Sequence, residues 1–338
     1  RMVYSVNTEA AEVLAKLADK PRIGSLGLYF SSGWNETTDK KKGYFETGWA
    51  HPKSWDDVIL QGPHLGVSTP MIKQPNPALK SNKDWSEIDL EAMPADFIPA
   101  TAYQPDREAQ PDYDTDYTAW EIDGEYQPAR DFYRIAWRRM AATTGFRTMY
   151  PAIIPPGAAH VHTVHSLASE DPGVTVLVGA VLSSLLSDFM LRSTGASELS
   201  FTNVCSLPYP DKFVNPERVK ELYLRLNCIT GAYSDLWEKV MGTPLTPEEP
   251  FRTAKERREA QTEIDVMVSS SLGVAENALG MIYRTQFPVM KSYDRQVRLD
   301  VNGRSVEKTI LKKASQLNSL QSLSAIERTW IHPQSKKT

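Results

Sequence analysis

The eighteen residues from 174 to 191, VTVLVGAVLSSLLSDFML, constrain this chain more than any other stretch. Val176, Leu177, Ala180, Val181, Ser184, Leu185 and Asp188 recur at helical spacing. Apolar side chains wrap most of the way round, so the segment predicts one helix buried on nearly all sides. A membrane span needs about 20 residues of unbroken apolar sequence. Ser183, Ser184, Ser187 and Asp188 interrupt this run, which argues against a span. The rest of the chain must therefore cover the helix, and its flanks supply strands. Residues 147–210 read as an apolar strand, a Pro155-Pro156-Gly157 break and a second strand carrying His160, His162 and His165. An acidic turn, the helix, a polar loop and Leu207-Pro208-Tyr209-Pro210 follow.

The preceding residues alternate turn-formers with short β-branched and aromatic runs. A capped helix is expected over 7–18, with Val13, Leu14 and Leu17 on its apolar face. Strands are expected over 24–30, 43–49, 55–62 and 65–68, and a helical turn over 84–95. The loop between the first two strands carries Lys40, Lys41 and Lys42, which read either as a solvated tip or as a phosphate contact. The proline-punctuated stretch 70–81 reads as a functional loop or one that wraps a partner. Residues 104–127, rich in Asp, Tyr and Pro, read as a solvent-exposed excursion. A hairpin is expected from 132–140 and 148–154, with a helix over 129–142 as the alternative. Under either period Arg130, Arg134 and Arg138 fall on one side and make the best basic stripe in the chain.

Beyond residue 210 the pattern turns helical, with helices expected over 216–229, 231–241, 254–271 and 274–284. A small hairpin closing at Asn302-Gly303 and an amphipathic helix over 307–328 complete the reading. The fold class is thus α+β: a sheet-rich domain over 1–210, then a helical region over 211–338 that packs on it or on a partner.

A net charge of −4 excludes a globally basic nucleic-acid binder, so any phosphate contact must come from a local patch. Two cysteines, Cys205 and Cys228, cannot build a disulfide framework and read as buried free thiols. The first twenty residues are polar and amphipathic and lack a signal peptide, so the expected location is cytoplasmic, with no membrane partner. A start at Arg-Met points to a fragment or a processed product.

Chemistry-bearing motifs are sparse. His160 and His162 share a spacing seen in metal ligands, but no carboxylate or histidine motif joins them, and no metal is expected. Glu-x-Lys does not occur, nor do Gly-x-Ser-x-Gly and Gly-x-Gly-x-x-Gly. An adenine methyltransferase holds its flipped base with Asn-Pro-Pro-aromatic. Here Asn76-Pro77 runs into Ala78 and Asn215-Pro216 into Glu217. No catalytic residue is assigned, and the chain by itself is expected to be inactive in methyl transfer.

Several segments taken in order resemble the target-recognition region of large adenine-specific DNA methyltransferases. These are the type IIG restriction-modification enzymes and their phage-defence relatives, including DISARM-like methyltransferases. The segments are LGLYFSSGWNET, WDDVILQGPHLGVSTPMIKQPN, YRIAWRRM and FRTMYPAIIPPGAAHVHTVHSL, then the apolar helix and its Leu-Pro-Tyr-Pro step. EAQTEIDVMVSSSLGV and MIYRTQFPVMKSYDR are similar too. The resemblance implies double-stranded DNA as a partner. It also implies a missing catalytic domain or subunit that binds S-adenosylmethionine, no cofactor in this chain, and other defence proteins as further partners. A non-catalytic scaffold subunit of a defence complex is the alternative.

In the recognition role, Arg130, Arg134, Arg138, Arg139 and Arg147 would hold phosphate, helped by Lys40, Lys41, Lys42, Lys73 and Lys80. Gln74, Asn76, His162, His165, Arg192 and Asn203 are the candidates for reading base edges.

Overall fold

The structure is a computed structural model and describes residues 7–142, 145–306 and 311–312. The chain is α+β. Helix α1 (Thr8–Ala18) starts at Asn7, whose side chain accepts from the Ala10 amide. Strand β1 (Tyr29–Ser31), the single-turn helix α2 (Thr38–Lys41) and strand β2 (Phe45–Ala50) follow. Short strands β3 (Ile59–Leu60), β4 (Lys73–Pro75), β5 (Trp85–Glu87) and β6 (Thr101–Pro105) come next. Helix α3 (Tyr113–Asp116) leads to the hairpin β7 (Ala119–Ile122) and β8 (Glu125–Pro128). Asp123 and Gly124 turn that hairpin with positive φ at both positions, as a tight two-residue loop requires.

The central sheet has the order β1-β12-β9-β10, all antiparallel, and is built from β9 (Arg134–Arg138), β10 (Ala152–Ile154) and β12 (Val164–Ala168) with β1. The hairpin expected around 132–154 is therefore present, in the register Ala152↔Ala136. A two-residue strand β11 (Ala159–His160) pairs in parallel with β3.

The expected single helix over 174–191 is two. Helix α4 (Pro172–Ser183) ends, the chain bends by 59°, and α5 (Leu185–Ser193) begins. Ser184 sits at the break in extended conformation and caps α5 through the Ser187 amide. Ser183 and Ser187 hydroxyls turn back onto the Ala180 and Val181 carbonyls. Serines compete with the helical ladder for these groups, so the residues that interrupt the apolar run also break the helix. No single described helix is long and apolar enough to cross a membrane. Most residues of α4 and α5 are buried.

Helices α6 (Phe201–Cys205), α7 (Pro216–Asn227), α8 (Ser234–Met241), α9 (Ala254–Ser271), α10 (Glu276–Gln286) and α11 (Pro288–Gln296) complete the described chain. The largest apolar core draws on both sides of residue 210: Ile135, Trp137 and Val178 pack with Val219, Ile264 and Ile282. Gly179 lets α4 lie close to β9 and α7, because a Cβ there would stand 2.5 Å from both Ile135 and Tyr223.

Other local expectations need correction. Residues 84–95 hold strand β5 rather than a helical turn, paired with β4 through Gln74↔Ser86. Residues 65–68 form only an isolated bridge, Gly66↔Thr69. The small turn expected at Asn302-Gly303 is present, closed by the antiparallel bridge Leu299↔Ser305 behind α11. Most of the expected helix over 307–328 lies outside the described residues. Cys228 is buried as expected, whereas Cys205 is only partly so.

The largest correction concerns 104–127. Tyr113, Tyr117 and Trp120 are buried and form a second core with Trp34, Phe45 and Ile59. Their aromatic area outweighs the acidic residues between them, which face water.

Candidate functional site

The five arginines singled out from the sequence do not form a surface stripe. Arg134 is 0% exposed and donates to the Phe132 and Ala158 carbonyls and the Tyr117 hydroxyl. Burial pulls its pKa down. Arg130 is buried and donates to the carbonyls of Gly157 and Asp56 and to the Asp114 carboxylate. Arg138 is half-buried, with its guanidinium on the Leu65 carbonyl and 4.2 Å from the centre of the Tyr150 ring. Arg139 pairs with Glu198 at 2.7 Å. Arg147 is buried against Asp265 at 2.9 Å.

The strand period does place Arg134 and Arg138 on one face. That face is covered by the segments 58–65 and 157–160, so the guanidiniums act as internal ties between backbone segments. A guanidinium suits this role because its donors are fixed in a planar fork that spans two carbonyls.

The base-reading candidates are equally engaged. Gln74 accepts from the Ala100 amide at 3.0 Å. Asn76 donates to Asp84 at 2.8 Å and accepts from Ser86. His165 is buried between Trp137 and Phe201, and its pKa is lowered to about 4 by burial and then by the nearby Arg139. Arg192 binds Asp188 at 3.1 Å and lies 4.4 Å from the centre of the Phe287 ring. Asn203 donates to the Glu198 carbonyl.

His162 is partly exposed, with Nδ1 3.5 Å from a Glu36 carboxylate oxygen. His160 is buried, Nε2 bonded to Ser166 at 2.8 Å. Among the described residues no three His, Cys, Asp or Glu side chains converge as a metal site would require.

The lysines fare differently. Lys40, Lys41 and Lys42 project from α2, all exposed, and Lys40 reaches Thr47 on β2. Trp49 further along β2 donates its indole N–H to the Pro75 carbonyl at 3.0 Å, fastening β2 to the β4–β5 hairpin. That hairpin carries Lys73, paired with Glu87 at 3.6 Å, and the exposed Lys80 on its connecting turn. The Asp84 carboxylate fixes the turn by accepting from Asn76 and from the Lys80 amide. Thus α2, the β2–β6 ladder and the β4–β5 hairpin are linked through Lys40–Thr47 and Trp49–Pro75. Lys42 pairs with Asp39 at 3.3 Å, whereas Lys40, Lys41 and Lys80 form no ion pair among the described residues.

Sequence reasoning missed Trp49 at this link, 36% exposed. It also missed Arg107, which ties Asp57 at 2.7 Å and Asp114 at 2.9 Å and lies over the Tyr113 ring. Nothing in the local sequence separates these from ordinary strand and loop residues. Their partners lie 26 to 50 residues away, apart from the nearby Asp114.

No family model matches this chain, and no curated protein matches it. Among solved structures it is similar to the type IIL restriction-modification enzyme MmeI in complex with DNA, at 15% sequence identity and a TM-score of 0.28. The similarity covers 55% of this chain and 24% of that enzyme, so the chain spans well under two thirds of its length. A likeness at that score fixes neither the fold nor the role of this chain.

Proposed function

We propose that this chain is the DNA sequence-recognition portion of an adenine-specific, S-adenosylmethionine-dependent DNA methyltransferase of a restriction or phage-defence system. The observation that carries the reading is that Lys40, Lys41 and Lys80, on α2 and on the linked β4–β5 turn, are exposed and form no ion pair among the described residues. Lysine at such a position holds phosphate as a mobile point charge, which positions a duplex without reading it. The ordered sequence resemblance supplies the family.

Neither Asn76 nor Asn215, the two Asn-Pro steps of the chain, has its side chain free to hold a flipped base. Asn76 has its amide spent on Asp84 and Ser86, and Asn215 caps α7 by accepting from the Arg218 amide. In this reading methyl transfer is carried by a catalytic domain or subunit outside this chain, and no step of it is assigned to residues here.

The test is binding of the purified chain to random duplex DNA across a salt series from about 50 to 200 mM. A Lys40→Ala/Lys41→Ala/Lys80→Ala variant runs alongside. Binding by the parent should weaken steeply with salt, and the variant should flatten the slope by up to about three. Absence of binding at low salt, or a slope the variant leaves unchanged, sinks the proposed phosphate contacts. The scaffold alternative would then stand.

A further inference from the structure

Helices α9, α10 and α11, with the segment around Arg147, enclose a groove of about 1320 Å³ on the helical side of the molecule. Its lining mixes charged residues with apolar ones, among them Leu279, Val289 and Met290. Phe146 and Tyr293 meet edge to face at the rim, 6.0 Å between ring centres, and are 36% and 51% exposed. Four arginines line it: Arg147, Arg257, Arg258 and Arg284. Arg257 donates to the carbonyls of Phe251, Ser68 and Leu226 and to the Thr69 hydroxyl, and forms no ion pair among the described residues. Burial brings it down to about 10, so it stays charged at neutral pH.

Arg147 is the more telling residue. Its Nη2 donates to Asp265 at 2.9 Å, and the other Asp265 oxygen is taken by the Leu185 amide at 2.7 Å. Nε and Nη1 of Arg147 are buried and have no hydrogen-bond partner among the described residues. Buried cationic donors rarely go without acceptors. Here the lining holds two deep cations against one deep carboxylate. The rim adds Arg284 and Glu276, with Arg258 already paired to Asp294 at 3.1 Å.

We infer that this groove binds an organic anion, its charged head beside the Arg147 guanidinium and its apolar body along Leu279, Met290 and Tyr293. Two sources share this chemistry: an aromatic nucleoside monophosphate and a fatty carboxylate. The inference goes beyond the proposed DNA role and does not depend on it.

Binding of 1-anilinonaphthalene-8-sulfonate, followed by fluorescence, tests it, with uncharged N-phenyl-1-naphthylamine as the control for charge. The sulfonate should bind saturably and at least about tenfold more tightly than the neutral analogue, the scale of one charge-assisted contact. Arg147→Met should lose about tenfold or more in affinity. Because that change also strands Asp265, Gly280→Leu provides a second route. Gly280 lines the groove, and a side chain there would meet only the flexible end of Arg284, at 3.2 Å. Leucine should fill the groove, leave the Arg147–Asp265 pair intact and abolish binding in a chain with an unchanged circular dichroism melt. Displacement of the dye by AMP or by decanoate supports the inference and names the source. Displacement by neither overturns it, as does dye binding that Gly280→Leu leaves intact.

Discussion

The arginines around β9 and the lysines around β2 looked alike in the sequence and do opposite work in the fold. Arg134 is sealed from water and satisfied by the carbonyls of Phe132 and Ala158 and the hydroxyl of Tyr117. Lys40 and Lys41 sit on a one-turn helix with no buried residue at all. Guanidinium is weakly hydrated and forked, so it can be buried where several carbonyls converge. An ammonium is strongly hydrated and stays outside. Within one chain of net charge −4, Arg130, Arg134 and Arg138 tie backbone segments together while Lys40, Lys41 and Lys80 stay exposed.

Three measurements can break or sharpen that contrast. The largest effect belongs to Arg134→Ala, which removes three hydrogen bonds and opens a cavity behind β9. It should cost about 3–5 kcal/mol in chemical denaturation. A loss below about 1 kcal/mol would mean that the guanidinium is not an internal tie.

Next in size is the response to acid. His64 accepts from the Gln61 amide and donates to the Ala100 carbonyl as a neutral imidazole, and burial holds it to about 4. His165 is likewise held to about 4. The unfolded chain protonates both near pH 6.5. Between about 6.5 and 4 it therefore binds protons that the native state refuses, and stability falls as pH drops through that window. The slope should approach about 1.4 kcal/mol per pH unit for each histidine, and His64→Gln should reduce it. Denaturation curves that coincide at pH 7 and pH 5 would contradict this.

The smallest effect should come from the lysines. Lys41→Ala and Lys80→Ala should each change stability by less than about 0.5 kcal/mol. A larger loss would move these residues from the partner-facing class to the structural one.

How much was legible depended on how local each signal was. Helix α9 was readable from its period, and α7 from Pro216 at its first turn and its leucines. The β9–β10 pairing followed from two aromatic, β-branched runs about a dozen residues apart. The acidic stretch misled because its charge was weighed over its aromatic spacing. Tyr113, Tyr117 and Trp120 stand four and three residues apart, a pattern that points one way on a turn of helix and the strand after it. The basic stripe misled for a different reason: periodicity gave its common face correctly but not what covers that face. The groove lined by Arg147 and Arg257 was not foreseen at all, since its walls come from residues as far apart as Val67 and Ser305.

Composition and periodicity alone determined the α+β class, the need to bury the 174–191 run, the helices after residue 210 and the absence of a broadly basic surface. These are properties of residue type and short spacing, set by local backbone preference and by the area each side chain must remove from water. Only the tertiary structure decided that Arg130, Arg134 and Arg147 are buried while Lys40, Lys41 and Lys80 are exposed, that Ser184 bends the buried helix, and that two buried donors of Arg147 have no acceptor among the described residues. Each of those outcomes turns on which distant carbonyl, carboxylate or ring arrives beside the residue. Burial and hydrogen-bond partnership are relations between segments far apart in the chain, and the sequence around a residue does not contain its partner.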